Sequence, residues 1–165
     1  MSSYPYGKAE ACAWIRANFP TDAQILDVGA CDGLWRRLLP EYPNMDAVEI
    51  FPPNAAGLTG YRRVICADVR GLTYPTYDLI IFGDVIEHMS VEEAQGVLAY
   101  AMPRCRDMIV AVPFLYRQGP LYGNAFETHV QDDLTPELFD ARYPGFETLV
   151  DPGRGYRYYH RRYAK

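Results

Sequence analysis

The stretch Ile25-Leu26-Asp27-Val28-Gly29-Ala30-Cys31-Asp32-Gly33 decides the fold class of this chain. Its first four residues are mostly apolar and predict a short strand, which the chain leaves at Gly29. Glycine permits a sharp turn at position 29, and Gly33 lets the next helix, predicted over residues 34–39, start close to the sheet. A strand, a glycine-rich turn and a helix in this order are typical of α/β proteins, whose ligands bind beyond the carboxyl ends of the strands.

The rest of the sequence repeats this alternation of strands and helices. Apolar runs predict strands at residues 25–28, 47–50, 64–67, 77–82, 108–112, 146–150 and 156–163. Periodic apolar positions, capping signals and proline stops predict helices at residues 9–19, 34–39, 90–100 and 135–143. Because strands that alternate with helices build right-handed βαβ units, we expect a parallel sheet with helices on both sides.

The last two strands are joined by a turn at residues 151–155, which is too short for a crossover. One of these two strands should therefore run antiparallel to the others. We predict a three-layer α/β/α sandwich with a mostly parallel seven-stranded sheet and a C-terminal antiparallel hairpin. A chain of 165 residues is long enough for one such domain, spanning residues 1–165.

Composition and charge narrow the class of function. The chain is 49% apolar and 22% charged, which is typical of a globular protein. Its net charge of −5 opposes binding to a nucleic-acid backbone. No apolar run is long enough to span a bilayer, so no membrane partner is expected.

The spacing of the four cysteines indicates whether they bind a metal or form disulfides. They form no C-x-x-C pair and have no histidine at zinc-ligand spacing. We therefore expect reduced thiols and a cytoplasmic protein. No metal site is expected, because no group of acidic residues and histidines has convincing ligand spacing.

A carboxylate at the end of the second predicted strand points to a nucleoside cofactor. Glu49 follows Gly29 by twenty residues, the spacing at which an acidic side chain can accept hydrogen bonds from two ribose hydroxyls. Asp27 and Asp32 flank the turn and would repel a pyrophosphate, which disfavours a nicotinamide-dependent reductase. They suit a ligand with an ammonium and a sulfonium group, which favours S-adenosylmethionine. The alternative is a plain turn with a solvated glutamate.

Four segments in order resemble the class I (Rossmann-like) S-adenosylmethionine-dependent methyltransferases. The quoted stretch resembles their first motif, and Ala47-Val48-Glu49-Ile50 resembles their second. Cys66-Ala67-Asp68-Val69 is similar to the third-strand segment whose aspartate contacts the adenine amino group. The run from Tyr77 to His88 resembles the fourth-strand motif of the subgroup with an Asp-x-x-Glu-His signature. That subgroup mostly alkylates small molecules.

The resemblance implies a set of cofactor-binding residues. Cys31 departs from the motif, because a second glycine is commonest at its position. The implied set is Asp27, Gly29, Ala30, Cys31, Gly33, Glu49, Ile50, Asp68, Val69, Gly83 and Asp84.

Acceptor-side candidates come from a long aromatic connection, residues 113–133. Tyr116 and Tyr122 are expected to flank a small acceptor. Glu127 and His129 alternate, so an extended loop would place the carboxylate beside the imidazole, as for a general base. A loop-stabilising pair is the alternative. His88 is a further catalytic candidate, although it could equally pack on the helix that follows it.

These observations predict methyl transfer from S-adenosylmethionine to a small-molecule acceptor such as a hydroxyl compound. The alternative is a non-catalytic S-adenosylmethionine-binding module or partner subunit.

Overall fold

A computed structural model describes residues 6–163 and arranges their strands in one sheet. The strands are β1 (Ile25–Val28), β2 (Met45–Glu49), β3 (Arg63–Cys66), β4 (Tyr77–Gly83), β5 (Cys105–Pro113), β6 (Glu147–Val150) and β7 (Tyr156–Arg162). The α-helices are α1 (Lys8–Asn18), α2 (Leu34–Leu38), α3 (Pro52–Gly57), α4 (Val91–Ala101) and α5 (Pro136–Arg142).

The sheet order is β3-β2-β1-β4-β5-β7-β6. The pairs from β3 to β5 are parallel, whereas β7 pairs antiparallel with both β5 and β6. This confirms the predicted sandwich with its antiparallel hairpin. The strand order reverses between β1 and β4, which is the switch point where α/β sheets bind ligands.

The core lies on both faces of the central strands. Along β4, Leu79 and Ile81 face the side covered by α1 and α2, while Ile80 and Phe82 face the side covered by α4 and α5. All four are fully buried, as expected when a period-two strand is sandwiched between helices.

Helix ends follow the capping signals of the sequence. Ser90 and Glu93 form the predicted capping box of α4, and Thr135 caps α5 ahead of Pro136. Pro52 and Pro53 follow β2 and begin α3, because proline is tolerated in a first helical turn.

Strand β5 begins at Cys105, before the predicted range of 108–112, because polar Arg106 and Asp107 precede the apolar run in the sequence. Asp107 is fully buried, and its carboxylate accepts hydrogen bonds from Arg106 and Arg162 and lies 2.7 Å from Nε2 of His160. These contacts offset the cost of burying the charge.

Two further sequence expectations concern the environment of the chain. Cys12, Cys31, Cys66 and Cys105 all lie within residues 6–163, and no disulfide joins any two of them. No helix in the same range is long and apolar enough to cross a membrane. The cytoplasmic location stays a prediction.

Candidate functional site

A cavity of about 270 Å³ opens at the carboxyl ends of β1, β2 and β4, at the switch point of the sheet. The segment between β5 and α5, residues 114–135, covers its other side and is called the β5–α5 loop below. Sequence-predicted residues that line the cavity are Gly29, Ala30, Cys31, Glu49, Ile50, Asp68, Val69, Gly83, Asp84, His88, Glu127 and His129.

The turn after β1 is held in shape by backbone constraints. Gly29 has a φ of +72°, and an added Cβ would lie 2.5 Å from Cγ2 of Val85. The Gly29 N–H also donates to the Val48 carbonyl over 2.8 Å. Cys31 has a φ of +47°, a conformation in which glycine is commonest. The turn therefore brings bare backbone to the edge of the cavity.

Glu49 is fixed by two backbone donors. The N–H groups of Cys31 and Phe51 each donate to one of its carboxylate oxygens over 2.8 Å. Its side chain is buried, yet it reaches the cavity wall. An ionised carboxylate offers about four lone-pair sites, so the two backbone bonds leave acceptor capacity for a ligand.

Asp27 and Gly33 do not line the cavity, and their contact with the cofactor stays a prediction. The Asp27 carboxylate is fully buried under the turn and accepts a 2.5 Å hydrogen bond from the hydroxyl of Tyr61. Burial raises its pKa to about 7. Gly33 instead precedes α2, with a φ of +76° and Leu58 close to where a Cβ would stand. Both residues support the turn from behind.

A buried lysine also lies behind the turn. Lys8 is 2% exposed, and its Nζ sits 4.2 Å from the ring centroid of Trp35. Burial lowers its pKa, while the charges of Asp84 and Asp27 oppose that shift. Trp35 itself lines the cavity, although no sequence signal pointed to it.

At the β3 end, Asp68 is already paired. Its carboxylate bonds the guanidinium of Arg70 and caps the following 3₁₀ turn, Val69–Gly71. Arg70 also bonds Glu93, and its proximity lowers the pKa of Asp68. Asp68 and Val69 lie on the cavity wall in the predicted place, with Arg70 beside them.

At the end of β4, close packing leaves no room for a side chain at position 83. A Cβ on Gly83 would lie 2.7 Å from Nε1 of Trp35. The next residue, Asp84, adopts a φ of +56° and donates its N–H to the Ala111 carbonyl. The left-handed conformation is uncommon for a non-glycine residue and recurs at ligand sites.

The β5–α5 loop supplies the far wall. Tyr116 and Phe126 line the cavity, whereas Tyr122 is 91% exposed and does not. The prediction that Tyr122 flanks an acceptor is therefore wrong, because a turn at Leu121–Asn124 directs that position outward. Asn124 is a lining residue that sequence reasoning missed, although its Asx turn with Phe126 is a recognisable local signal.

Glu127 and His129 do not form the expected orienting pair. Nδ1 of His129 lies 2.7 Å from the Tyr116 carbonyl oxygen, so a backbone group orients the ring. Glu127 instead accepts hydrogen bonds from the side-chain amides of Gln118 and Asn124. The residues do not alternate as in a strand, because Glu127 ends a 3₁₀ turn at Ala125–Glu127.

The fold brings His129 against His88, 41 residues earlier in the sequence. Their ring centroids are 4.7 Å apart in an edge-to-face arrangement. Nδ1 of His88 lies 3.1 Å from the Thr128 carbonyl oxygen. Burial, with the nearby His129, lowers the pKa of His88 to about 4, so its ring is neutral at pH 7.

Glu87 completes this corner of the site. It is 1% exposed, and no side chain among the described residues donates a hydrogen bond to either carboxylate oxygen. Burial and the charge of Asp84 raise its pKa well above the usual range. Its backbone carbonyl, in contrast, accepts from the N–H groups of Val130 and Gln131 and anchors the loop.

The fold assembles a histidine–carboxylate cluster, although residue spacing in the sequence predicted no metal site. One potential ligand atom from each of Glu87, His88 and His129 lies within 4.8 Å of the others. Sequence spacing could not reveal this cluster, because His129 reaches it only through the tertiary path of the loop.

Comparison with known proteins extends these findings at the level of the fold. Neither a protein-family model nor a curated protein matches the sequence. Solved structures do match: a methyltransferase from Clostridium acetobutylicum, described as S-adenosylmethionine-dependent, aligns with a TM-score of 0.72 at 13% identity, over 98% of this chain and 93% of its own. The chain has the Rossmann-like methyltransferase fold.

Two further matches were solved with ligands. Burkholderia thailandensis 1,6-didemethyltoxoflavin-N1-methyltransferase, with bound 1,6-didemethyltoxoflavin and S-adenosylhomocysteine, aligns with a TM-score of 0.65 at 23% identity, over 94% of this chain and 77% of its own. Human N-acetylserotonin methyltransferase, in complex with S-adenosylmethionine, aligns with a TM-score of 0.70 at 15% identity over 96% of this chain. The present chain spans about half (52%) of the human enzyme's length.

Proposed function

We propose that this chain transfers a methyl group from S-adenosylmethionine to a small-molecule acceptor. The observation that carries the proposal is the position of Glu49. It ends β2 beside the sheet's switch point, and its carboxylate is held by two backbone N–H groups on the wall of the cavity. The fold is shared with structures solved with S-adenosylmethionine or its demethylated product.

The donor would occupy the side of the cavity formed by β1, β2 and β3. The lone pairs that Glu49 does not use on Cys31 and Phe51 can accept hydrogen bonds from two ribose hydroxyls. Asp68 and Val69 line the end of the cavity where the family resemblance places adenine. Gly83 and Asp84 line the opposite end, next to His88.

When bound, S-adenosylmethionine supplies a methyl group on a positively charged sulfur. The main task of the protein is then to align the acceptor with that carbon, which can lower the barrier by several kcal/mol. Tyr116 and Phe126 offer aromatic surface for a small acceptor on the loop side of the cavity. The net charge of −5 continues to oppose a nucleic-acid acceptor.

His129 is the candidate general base for a hydroxyl acceptor. Because the Tyr116 carbonyl can only accept, Nδ1 of the neutral ring carries the proton and Nε2 keeps a lone pair. That nitrogen can take the acceptor's proton as its oxygen attacks the methyl carbon. General-base assistance of this kind contributes about 10²–10⁴-fold.

A ligand-stabilisation screen tests the proposed function. S-adenosylhomocysteine at 100 times its dissociation constant should stabilise the fold by about 2.7 kcal/mol. At about 2–4 °C per kcal/mol, the melting temperature should rise by about 5–11 °C. NAD at the same concentration serves as the control and should leave the melting temperature unchanged. A shift with NAD and none with S-adenosylhomocysteine would overturn the proposal.

A further inference from the structure

We propose that Glu87, His88 and His129 form a binding site for a divalent transition-metal ion of the Zn²⁺ class, at the end of the cavity assigned to the acceptor. Binding of the metal stands on the geometry of these three side chains. Its role in the reaction rests on the proposed function.

The three donors come from two separate segments that the fold brings together. Glu87 and His88 follow β4, whereas His129 lies in the β5–α5 loop. One potential ligand atom from each lies within 4.8 Å of the other two. In a tetrahedral site, two ligands at about 2.1 Å from zinc are about 3.4 Å apart. Side-chain rotations that move the ligand atoms by about 1 Å would therefore complete the coordination.

Both imidazoles are oriented as metal ligands usually are. Nδ1 of His88 faces the Thr128 carbonyl, and Nδ1 of His129 faces the Tyr116 carbonyl. A carbonyl oxygen only accepts, so each neutral ring has its proton on Nδ1 and its lone pair on Nε2. A metal-bound histidine typically donates its other ring N–H to such a group, which fixes the tautomer and the ring plane.

The environment of the Glu87 carboxylate points most directly to a bound cation. Its side chain is 1% exposed, and no side chain among the described residues donates a hydrogen bond to either oxygen. Only backbone groups of its own turn, at Val85 and Glu87, lie close to the carboxylate. Burying a polar group without a partner costs free energy, and buried carboxylates are normally paired or coordinate a metal. In its ionised form this carboxylate can only accept hydrogen bonds, so the lone pairs of the two imidazoles in the cluster cannot satisfy it. A cation between them would satisfy all three groups.

The donor set selects the kind of metal. Two imidazole nitrogens and one carboxylate oxygen suit Zn²⁺ and related transition ions, whereas Mg²⁺ and Ca²⁺ prefer oxygen ligands. Three protein ligands leave a coordination position for water or substrate. His88, His129 and Glu87 all line the cavity, so that position is available to an acceptor.

This site would change how the acceptor is activated. A metal on Nε2 of His129 prevents that nitrogen from accepting a proton. The metal would bind the acceptor's hydroxyl oxygen instead and lower its pKa, so that the proton passes to water. The oxygen then attacks the methyl carbon while the carbon–sulfur bond breaks and its electrons stay on sulfur.

Metal titration of the protein freed of metal by a chelator tests the site. The probes are Zn²⁺ by calorimetry and Co²⁺ by its visible absorption, with Mg²⁺ for comparison. Glu87→Gln and His129→Gln remove one ligand each at nearly constant volume. His160→Gln removes the one histidine of the chain outside the cluster, and Glu92→Gln removes an exposed carboxylate from α4.

We expect one Zn²⁺ or Co²⁺ per chain, with affinity at least tenfold weaker in each ligand variant and unchanged in the two controls. Folded wild-type protein that binds neither ion would overturn the site, as would equal binding by wild type and both ligand variants. S-adenosylhomocysteine binding is measured in parallel on wild type. If wild type binds the metal but not S-adenosylhomocysteine, the proposed function alone is contradicted. If it binds S-adenosylhomocysteine but neither metal, the metal site alone is contradicted.

Discussion

The two sides of the cavity are built in different ways. On the side of β1 and β2, Gly29 and Cys31 hold left-handed backbone, and backbone N–H groups fix Glu49. On the side of the β5–α5 loop, side chains are positioned by carbonyls distant in sequence, as His88 is by Thr128. The loop also leaves apolar side chains in solvent, among them Val130 at 56% and Leu115 at 71% exposure.

A short stretch of sequence specifies the side of β1 and β2, whereas only the tertiary structure specifies the side of the β5–α5 loop. We call the first the donor side and the second the acceptor side, after the proposed function. On the donor side, substitutions should affect both stability and cofactor binding, because the same backbone serves both. On the acceptor side they should affect turnover with little effect on cofactor binding.

The largest effect is expected at Gly29. Gly29→Ala places a Cβ 2.5 Å from the Val85 side chain, at a position whose backbone has the left-handed conformation. Overpacking costs about 1–3 kcal/mol and the conformation about 1–2 kcal/mol, so we expect a loss of about 2–5 kcal/mol in unfolding free energy. Urea denaturation measures it. Gly119→Ala, in open space on the β5–α5 loop, is the control and should change stability little.

A stability loss at Gly29 equal to that at Gly119 would contradict the account of the turn as a close-packed support.

The next effect is a pH dependence at Asp27. Burial raises its pKa to about 7, above the unfolded value of 3.8, so the folded state binds more protons between these values. Its contribution to stability is therefore present at low pH and lost as the pH rises towards 7. Asp27→Asn removes this titration and keeps an acceptor for the Tyr61 hydroxyl.

Relative to wild type, the Asp27→Asn variant should therefore gain stability from pH 4 to pH 7, by on the order of 3 kcal/mol at about 1.4 kcal/mol per pKa unit. Urea denaturation across this range measures the difference. A constant difference would show that Asp27 does not titrate there.

Glu49 tests the donor side itself. Glu49→Gln should weaken S-adenosylhomocysteine binding by about 10–100-fold, because hydrogen bonds to a charged group contribute about 1.5–3 kcal/mol. Calorimetry on the folded variant measures the affinity, with Glu92→Gln as a control. Unchanged affinity would place Glu49 outside the site.

The smallest predicted effect is on the acceptor side. His129→Ala should lower turnover by at least about tenfold while S-adenosylhomocysteine affinity stays within about twofold. Steady-state kinetics with an acceptor found by library screening, together with calorimetry, measures both quantities. Equal turnover would remove His129 from the mechanism, and lost cofactor affinity would move the loop to the donor side.

The contrast between the two sides also explains what the sequence could predict. The number of strands, the hairpin and the placement of Glu49 at a strand end follow from local signals, since apolar runs and glycine turns mark the elements along the chain. The spacing of Asp27 in the sequence does not reveal that its side chain is buried beneath the turn with Tyr61. The meeting of His88 and His129 depends on Gln131, whose amide bonds the Ile86 and Met89 carbonyls and ties the loop to β4's end. No local pattern encodes that contact.

A crystal structure of the chain with S-adenosylhomocysteine would show directly whether Glu49 holds the cofactor. We expect the ribose hydroxyls on the carboxylate of Glu49, adenine beside Asp68 and Val69, and the sulfur facing the end of the cavity that holds His88 and His129. A ligand bound outside this cavity, or bound with its ribose away from Glu49, would contradict it.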